Sequence, residues 1–172
     1  MNTANFLILM GFVVSAHATS YARPPRCLNP PAVGPCKARV PSWYFDPPTN
    51  NCKVFVYGGC NGNNNRFKTE VGCRKTCLPG VPVMPVCSLR LPKKSCKKGV
   101  HTWAYDFESG RCRFFLHGEC NRNANRFSSC LQCMTRCSGM RHENARRLCK
   151  KLTTDAIAEY GNALRHIFGR LE

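Results

Sequence analysis

Hydrophobic positions along this chain fall into short bursts separated by polar turns, and each burst predicts one small element. The first is apolar from Phe6 to Val14, inside an uncharged stretch that ends in Ala16-His17-Ala18, so residues 1–18 are expected to be a secretory signal peptide; a second cut is possible after Ala22. That run is too short to span a bilayer, and no transmembrane segment is expected. Val40 to Asp46 and Cys52 to Gly58 are rich in β-branched and aromatic residues and flank Asp46-Pro47-Pro48-Thr49-Asn50-Asn51, which reads as a β-hairpin. Val100 to Asp106 and Cys112 to Gly118 repeat the pattern around Asp106-Phe107-Glu108-Ser109-Gly110-Arg111. A short helix is predicted to close each unit, with Thr69 and Glu70 at the start of the first, and Ser129 with Gln132 as a capping box in the second. Near the C-terminus, Ile157, Tyr160, Leu164, Ile167 or Phe168, and Leu171 fall at helical spacing behind a predicted N-cap at Thr154, although Gly161 and Gly169 weaken that helix.

Cysteine usage changes the picture from small elements to stapled modules. The chain holds 14 cysteines in 172 residues, an even count that points to a disulfide framework in an oxidising, extracellular compartment. Cysteines 27, 36, 52, 60, 73 and 77 stand at intervals of 9, 16, 8, 13 and 4, and cysteines 87, 96, 112, 120, 133 and 137 repeat all five. The chain is therefore an internal duplication, with modules at 27–77 and 87–137 and a Pro-rich linker at 78–86. Three prolines in that linker favour an extended spacer with a reach on the order of 30 Å. Residues 138–172 form a basic amphipathic helical tail. Cys130 and Cys149 stand outside the repeat, and their simplest pairing is with each other; an interchain bridge is the alternative. The fold class is small, disulfide-rich α+β. Cys130-Leu131-Gln132-Cys133 has ligand-like spacing but lacks a partner pair, so neither metal nor cofactor is expected.

Charge narrows the partners. The net charge of +17 is spread over both modules and the tail, a field that favours acidic protein surfaces, sulfated polysaccharide or another polyanion. Nucleic acid is not an expected partner of an exported chain. No Asn-x-Ser/Thr sequon occurs, so no N-linked glycan is expected.

The intervals, together with Gly34-Pro35-Cys36-Lys37-Ala38-Arg39, Phe55-Val56-Tyr57-Gly58-Gly59-Cys60 and Asn65-Arg66-Phe67, resemble the Kunitz/bovine pancreatic trypsin inhibitor family. Spacing alone leaves fifteen pairings per module open. The resemblance implies Cys27–Cys77, Cys36–Cys60 and Cys52–Cys73, then Cys87–Cys137, Cys96–Cys120 and Cys112–Cys133, in two modules each made of a twisted β-hairpin and a C-terminal helix. It also implies that Asn65 and Asn125 are buried polar ties beside Phe67 and Phe127. Functionally it implies a non-enzymatic inhibitor of a trypsin-like serine protease, with Lys37-Ala38 as the reactive bond and Gly34, Pro35, Cys36, Arg39, Gly58 and Gly59 completing the inhibitory loop. Tandem modules with extra cysteines and a basic second loop are loosely similar to salivary anticoagulants of blood-feeding arthropods.

The second module departs from this pattern. Its loop, Lys93-Lys94-Ser95-Cys96-Lys97-Lys98-Gly99, keeps a basic residue at Lys97 but has Lys94 for Gly34, Ser95 for Pro35, Lys98 for Ala38, Glu119 for Gly59 and His117 for Tyr57. A weakened or redirected head is expected, one that contacts an exosite or polyanion through Arg90, Lys93, Lys94, Lys97 and Lys98. Two other functions stay open: an ion-channel-blocking toxin of the same family, and a matrix or polyanion binder.

Overall fold

The computed structural model describes residues 22–91, 96 and 98–161. The signal peptide expected at 1–18, the loop residues Lys93, Lys94, Ser95 and Lys97, and the tail positions Leu164, Ile167, Phe168, Gly169 and Leu171 lie outside the described residues. Among the described residues, no helix is long and apolar enough to cross a membrane.

Each module is a two-stranded antiparallel sheet closed by a helix. In the first, β1 (Val40–Asp46) pairs with β2 (Asn51–Tyr57) in the register Val40 to Tyr57 and Asp46 to Asn51. Pro47–Thr49 make a single 3-10 turn, and Asn50 takes the left-handed conformation (φ 52°) that asparagine tolerates better than most residues. Helix α1 (Glu70–Cys77) starts where the Thr69 hydroxyl accepts the Gly72 amide at 3.0 Å. The second module repeats this with β3 (Val100–Asp106), β4 (Arg111–His117) and α2 (Cys130–Cys137), with the Ser129 hydroxyl accepting the Gln132 amide at 3.1 Å. The Gln132 side chain does not complete the expected reciprocal box. Its carbonyl oxygen accepts instead from the amide and hydroxyl of Ser128, one residue further upstream.

The interior of each module is cystine and aromatic ring rather than aliphatic packing. Trp43, Phe45, Cys27, Cys52, Cys73 and Cys77 are buried in the first, and Trp103, Tyr105, Cys87, Cys112, Cys133 and Cys137 in the second. Units this small bury too little surface to fold on packing alone, and each disulfide adds about 2 to 5 kcal/mol. The bridges are Cys27–Cys77, Cys36–Cys60, Cys52–Cys73, Cys87–Cys137, Cys96–Cys120, Cys112–Cys133 and Cys130–Cys149. Asn65 is wholly buried and fully used: its Oδ1 accepts the Phe45 amide at 3.0 Å, while its Nδ2 donates to the carbonyls of Phe45 (2.9 Å) and Asn29 (2.6 Å). Asn125 ties Tyr105 and Leu89 in the same way. Each asparagine thus joins strand backbone at Phe45 or Tyr105 to loop backbone at Asn29 or Leu89, which fixes the loops around a thin sheet.

The linker is not the extended spacer its proline content suggests. The Val81 amide donates to the Leu78 carbonyl at 3.2 Å, with Gly80 at φ 77°, so Pro79-Gly80 reverses the chain as a tight turn. The segment then returns to α1, where the wholly buried Glu70 carboxylate accepts the amides of Val86 (3.2 Å) and Ser88 (2.8 Å). The modules consequently share one core. Phe107, at the tip of the second hairpin, stacks on Trp43 of the first with ring centroids 5.4 Å apart and planes 4° from parallel. The Gly139 amide donates to the Val54 carbonyl at 2.7 Å, and a side chain there would strike the Tyr44 ring 2.9 Å away. Arg136 of α2 reaches the Cys52 carbonyl at 3.4 Å; burial lowers its pKa, partly offset by the Glu70 charge nearby.

Helix α3 (His142–Tyr160) begins well before Thr154, which sits inside it with its hydroxyl turned back to the Lys150 carbonyl at 3.0 Å. Its stripe of Ala145, Leu148, Cys149, Leu152, Ala156, Ile157 and Tyr160 packs on the shared core. Cys130–Cys149 staples it to α2, and Tyr160 closes an aromatic cluster with His101 and Phe114.

Candidate functional site

Residues 33–39 of the first module form a protruding ridge crossed beneath by residues 57–60. Two backbone bonds lace the crossing: the Gly58 amide donates to the Val33 carbonyl at 2.7 Å, and the Ala38 amide donates to the Gly58 carbonyl at 2.8 Å. Cys36–Cys60 adds a covalent rivet between them. This approach needs glycine. A Cβ on Gly58 would lie 2.2 Å from the Cys36 carbonyl oxygen, and one on Gly34 would lie 1.8 Å from that of Cys60. Gly34 (φ 77°) and Gly59 (φ 108°) also take conformations that L side chains rarely adopt.

Side chains along the ridge face solvent. Pro35, Cys36, Lys37, Ala38 and Arg39 are all exposed, and among the described residues neither Lys37 nor Arg39 enters an ion pair. The crossing strand is held from behind: Tyr57 is buried, the Arg66 guanidinium lies 4.1 Å above its ring, and Gly62 sits close against that ring. Chemically, the ridge is a pre-shaped backbone with a free cation at its crest and both flanks tied down. Nothing in it resembles a nucleophile with an activating base.

At the corresponding place in the second module the cation expected at Lys97 lies outside the described residues, while Lys98 is exposed beside Gly99. The supporting loop is rebuilt. Glu119 stands where Gly59 takes a positive φ, and among the described residues Asn50 and Asn61 are the only non-glycines in that region. A side chain at Glu119 would be strained there by about 1 to 2 kcal/mol, and the backbone instead turns as a 3-10 segment, Glu119–Asn121. Cys96 is buried where Cys36 is exposed, and its amide donates to the Leu116 carbonyl at 3.3 Å. The two heads therefore present different surfaces.

The sequence reading noted the exchange of Tyr57 for His117 but assigned His117 no role. It is buried, its Nδ1 meets the Thr102 hydroxyl, and burial together with the Arg126 guanidinium lowers its pKa. The available signal was the exchange of Tyr57 for His117 between otherwise parallel modules.

The Kunitz/Bovine pancreatic trypsin inhibitor domain model matches residues 26–78 and 86–138. The chain is 45% identical over 150 residues to Amblin of Amblyomma hebraeum, covering 85% of this chain and 89% of that protein. It is 40% identical over 115 residues to Tissue factor pathway inhibitor 2 of Bos taurus, covering 67% of this chain and 49% of that one. It is 39% identical over 111 residues to Kunitz-type serine protease inhibitor bitisilin-3 of Bitis gabonica, covering 64% of this chain and 70% of that one.

Proposed function

The chain belongs to the Kunitz/bovine pancreatic trypsin inhibitor domain family in two tandem copies, and on that premise we propose that it is a secreted inhibitor of a trypsin-like serine protease whose inhibitory head is the first module. One observation carries the reading: Lys37 stands exposed on a backbone riveted by Cys36–Cys60 immediately before it and bonded at Ala38 immediately after it.

A protease binds substrate in an extended form and must let the new amine leave after it cuts. Lys37 is the cation that a primary specificity pocket with a carboxylate at its base accepts, and Lys37-Ala38 is the bond presented to the nucleophile. Ala38 is small enough for the crowded oxyanion region, and Arg39 adds a second positive contact. Should the enzyme attack, neither end of the cut can diffuse away. Cys36 is covalently held to Cys60, and the Ala38 nitrogen stays bonded to the Gly58 carbonyl at 2.8 Å. Proximity then favours resealing over hydrolysis. The loop is ordered before binding, so little conformational entropy is lost on association.

The second module contributes differently, because its supporting loop has lost the positive-φ glycine. We assign it a contact outside the enzyme's specificity pocket or a polyanion such as sulfated polysaccharide. A clotting protease is our narrower target proposal, supported by the relative named Tissue factor pathway inhibitor 2.

Lys37→Ala tests the assignment. Inhibition constants against trypsin, plasmin, kallikrein, thrombin and factor Xa should weaken for the enzyme that is bound by roughly 30-fold to several thousand-fold, the loss of a desolvated charge pair of about 2 to 5 kcal/mol. The thermal midpoint should not move. Equal inhibition by the variant and the parent protein would refute the reading.

A further inference from the structure

We propose that the second module carries a binding site for a compact oxyanion, a sulfate or carboxylate group, in the cleft between His117, Arg122 and Arg126. The cleft has a volume of about 600 Å³ and is lined by these three residues together with Gly99, Val100 and Glu119. It is the product of two exchanges between the modules. Where the first has the phenol ring of Tyr57 with Gly62 packed on it, the second has the smaller imidazole of His117 and, at the Gly62 position, Arg122.

The hydrogen-bond inventory says what the cleft wants. His117 is only 3% exposed, and its Nε2 is buried without a partner among the described residues. Its Nδ1 contacts the Thr102 hydroxyl, a side chain that is itself buried. If the hydroxyl donates to Nδ1, the hydroxyl proton is satisfied and a single group, the Nε2–H, remains unpaired. The opposite tautomer leaves two groups unpaired, the hydroxyl proton and the Nε2 lone pair, and each buried orphan costs about 1 to 3 kcal/mol. The favoured arrangement therefore offers an N–H donor. Burial and the Arg126 guanidinium keep the ring in its neutral form, consistent with one proton on the imidazole.

Charge selects the ligand further. Arg122 is paired with Glu119 at 3.2 Å, but Arg126 has no ion pair among the described residues. The cleft thus presents donors with one uncompensated positive charge and a single carboxylate already engaged. A cation or a neutral acceptor-poor group would leave the Nε2–H unpaired, whereas an oxyanion satisfies it and neutralises Arg126 at once.

The test uses the whole chain, isotopically labelled, titrated with sodium sulfate against sodium chloride at constant ionic strength while the His117 and Arg126 side-chain resonances are followed by NMR. A saturable sulfate response at both residues is expected, at least about tenfold weaker in His117→Tyr, which installs the first module's residue, and in Arg126→Gln. A response that chloride reproduces, or one unchanged in both variants, would overturn the proposal. Acetate and a sulfated disaccharide form two further arms. Tighter binding of the disaccharide assigns the group to a glycan, tighter binding of acetate assigns it to a protein carboxylate, and no binding of any arm overturns the site. Inhibition through Lys37 is measured alongside and should be unaffected, so this proposal and the protease reading fail separately.

Discussion

Replacing Glu70 by alanine should loosen the joint between the modules without touching the ridge at residues 33–39. The carboxylate is wholly buried and accepts the Val86 and Ser88 amides at 3.2 and 2.8 Å. It is also an acid in the first turn of α1, and its charge opposes that of the half-buried Arg136. Each buried donor left unpaired costs about 1 to 3 kcal/mol, and a carboxylate acceptor lies at the upper end of that range. Ser88 is exposed, so its amide can recover part of the loss from water. The net expectation is a destabilisation of about 2 to 4 kcal/mol. Glu70→Gln keeps one acceptor oxygen and should fall between the variant and the parent. Denaturant unfolding measures the loss, and limited proteolysis between Val81 and Val86 should speed up in the same order. Inhibition of trypsin should stay constant. If Glu70→Ala unfolds at the parent's midpoint and its linker resists cleavage equally, the joint is not held as described.

Three further outcomes follow from the same geometry. Gly34→Ala places a methyl 1.8 Å from the Cys60 carbonyl oxygen at φ 77°, so it should cost at least about 1 to 2 kcal/mol and weaken inhibition with it; an unchanged melting curve would contradict this. Breaking Cys130–Cys149, which closes a sequence separation of 19, by the double alanine variant should remove about 3 kcal/mol and speed amide exchange in α3, while α1 exchanges as before. Stability should decline as pH falls below the ordinary imidazole value near 6.5, because the unfolded chain takes up a proton there that the folded His117, facing Arg126 and Arg122 with Glu119 as the only carboxylate lining that cleft, resists. Thermal midpoints from pH 7 to pH 4 should show a shallower decline in His117→Tyr than in the parent.

The architecture was legible where one local signal decides the outcome. The repeated cysteine intervals give two modules, the aromatic runs around Asp46-Pro47-Pro48 give a hairpin, and Thr69 and Ser129 cap the helices because a hydroxyl reaches the third amide. What was hidden depended on neighbours distant in sequence. Three prolines suggest an extended spacer by composition, yet Pro79-Gly80 is itself turn chemistry, and it is Glu70 that holds the returning segment. Phe107 reads as a turn residue until Trp43 is found beneath it. The start of α3 escaped because small Ala145 and bridged Cys149 occupy its apolar stripe, while Arg141 supplies no side-chain cap. At the ridge, sequence could point to Lys37 and Ala38 as candidates, but not to the two amide bonds that lace it, since those depend on how closely Gly58 passes beneath Val33 and Ala38.

The stacked Phe107 and Trp43 rings have a consequence for how two heads can share work. On a floppy tether, each head would search for its own enzyme, and local enrichment would rise and fall with tether length. Here contacts at Trp43 and Val54 fix the angle between the modules, so in the proposed complex the second module would keep one orientation toward an enzyme held at Lys37. On the proposed reading, selectivity among proteases would turn on which enzymes tolerate the second module in that orientation, and swapping the second module should redraw the target range even with the first module's ridge unaltered.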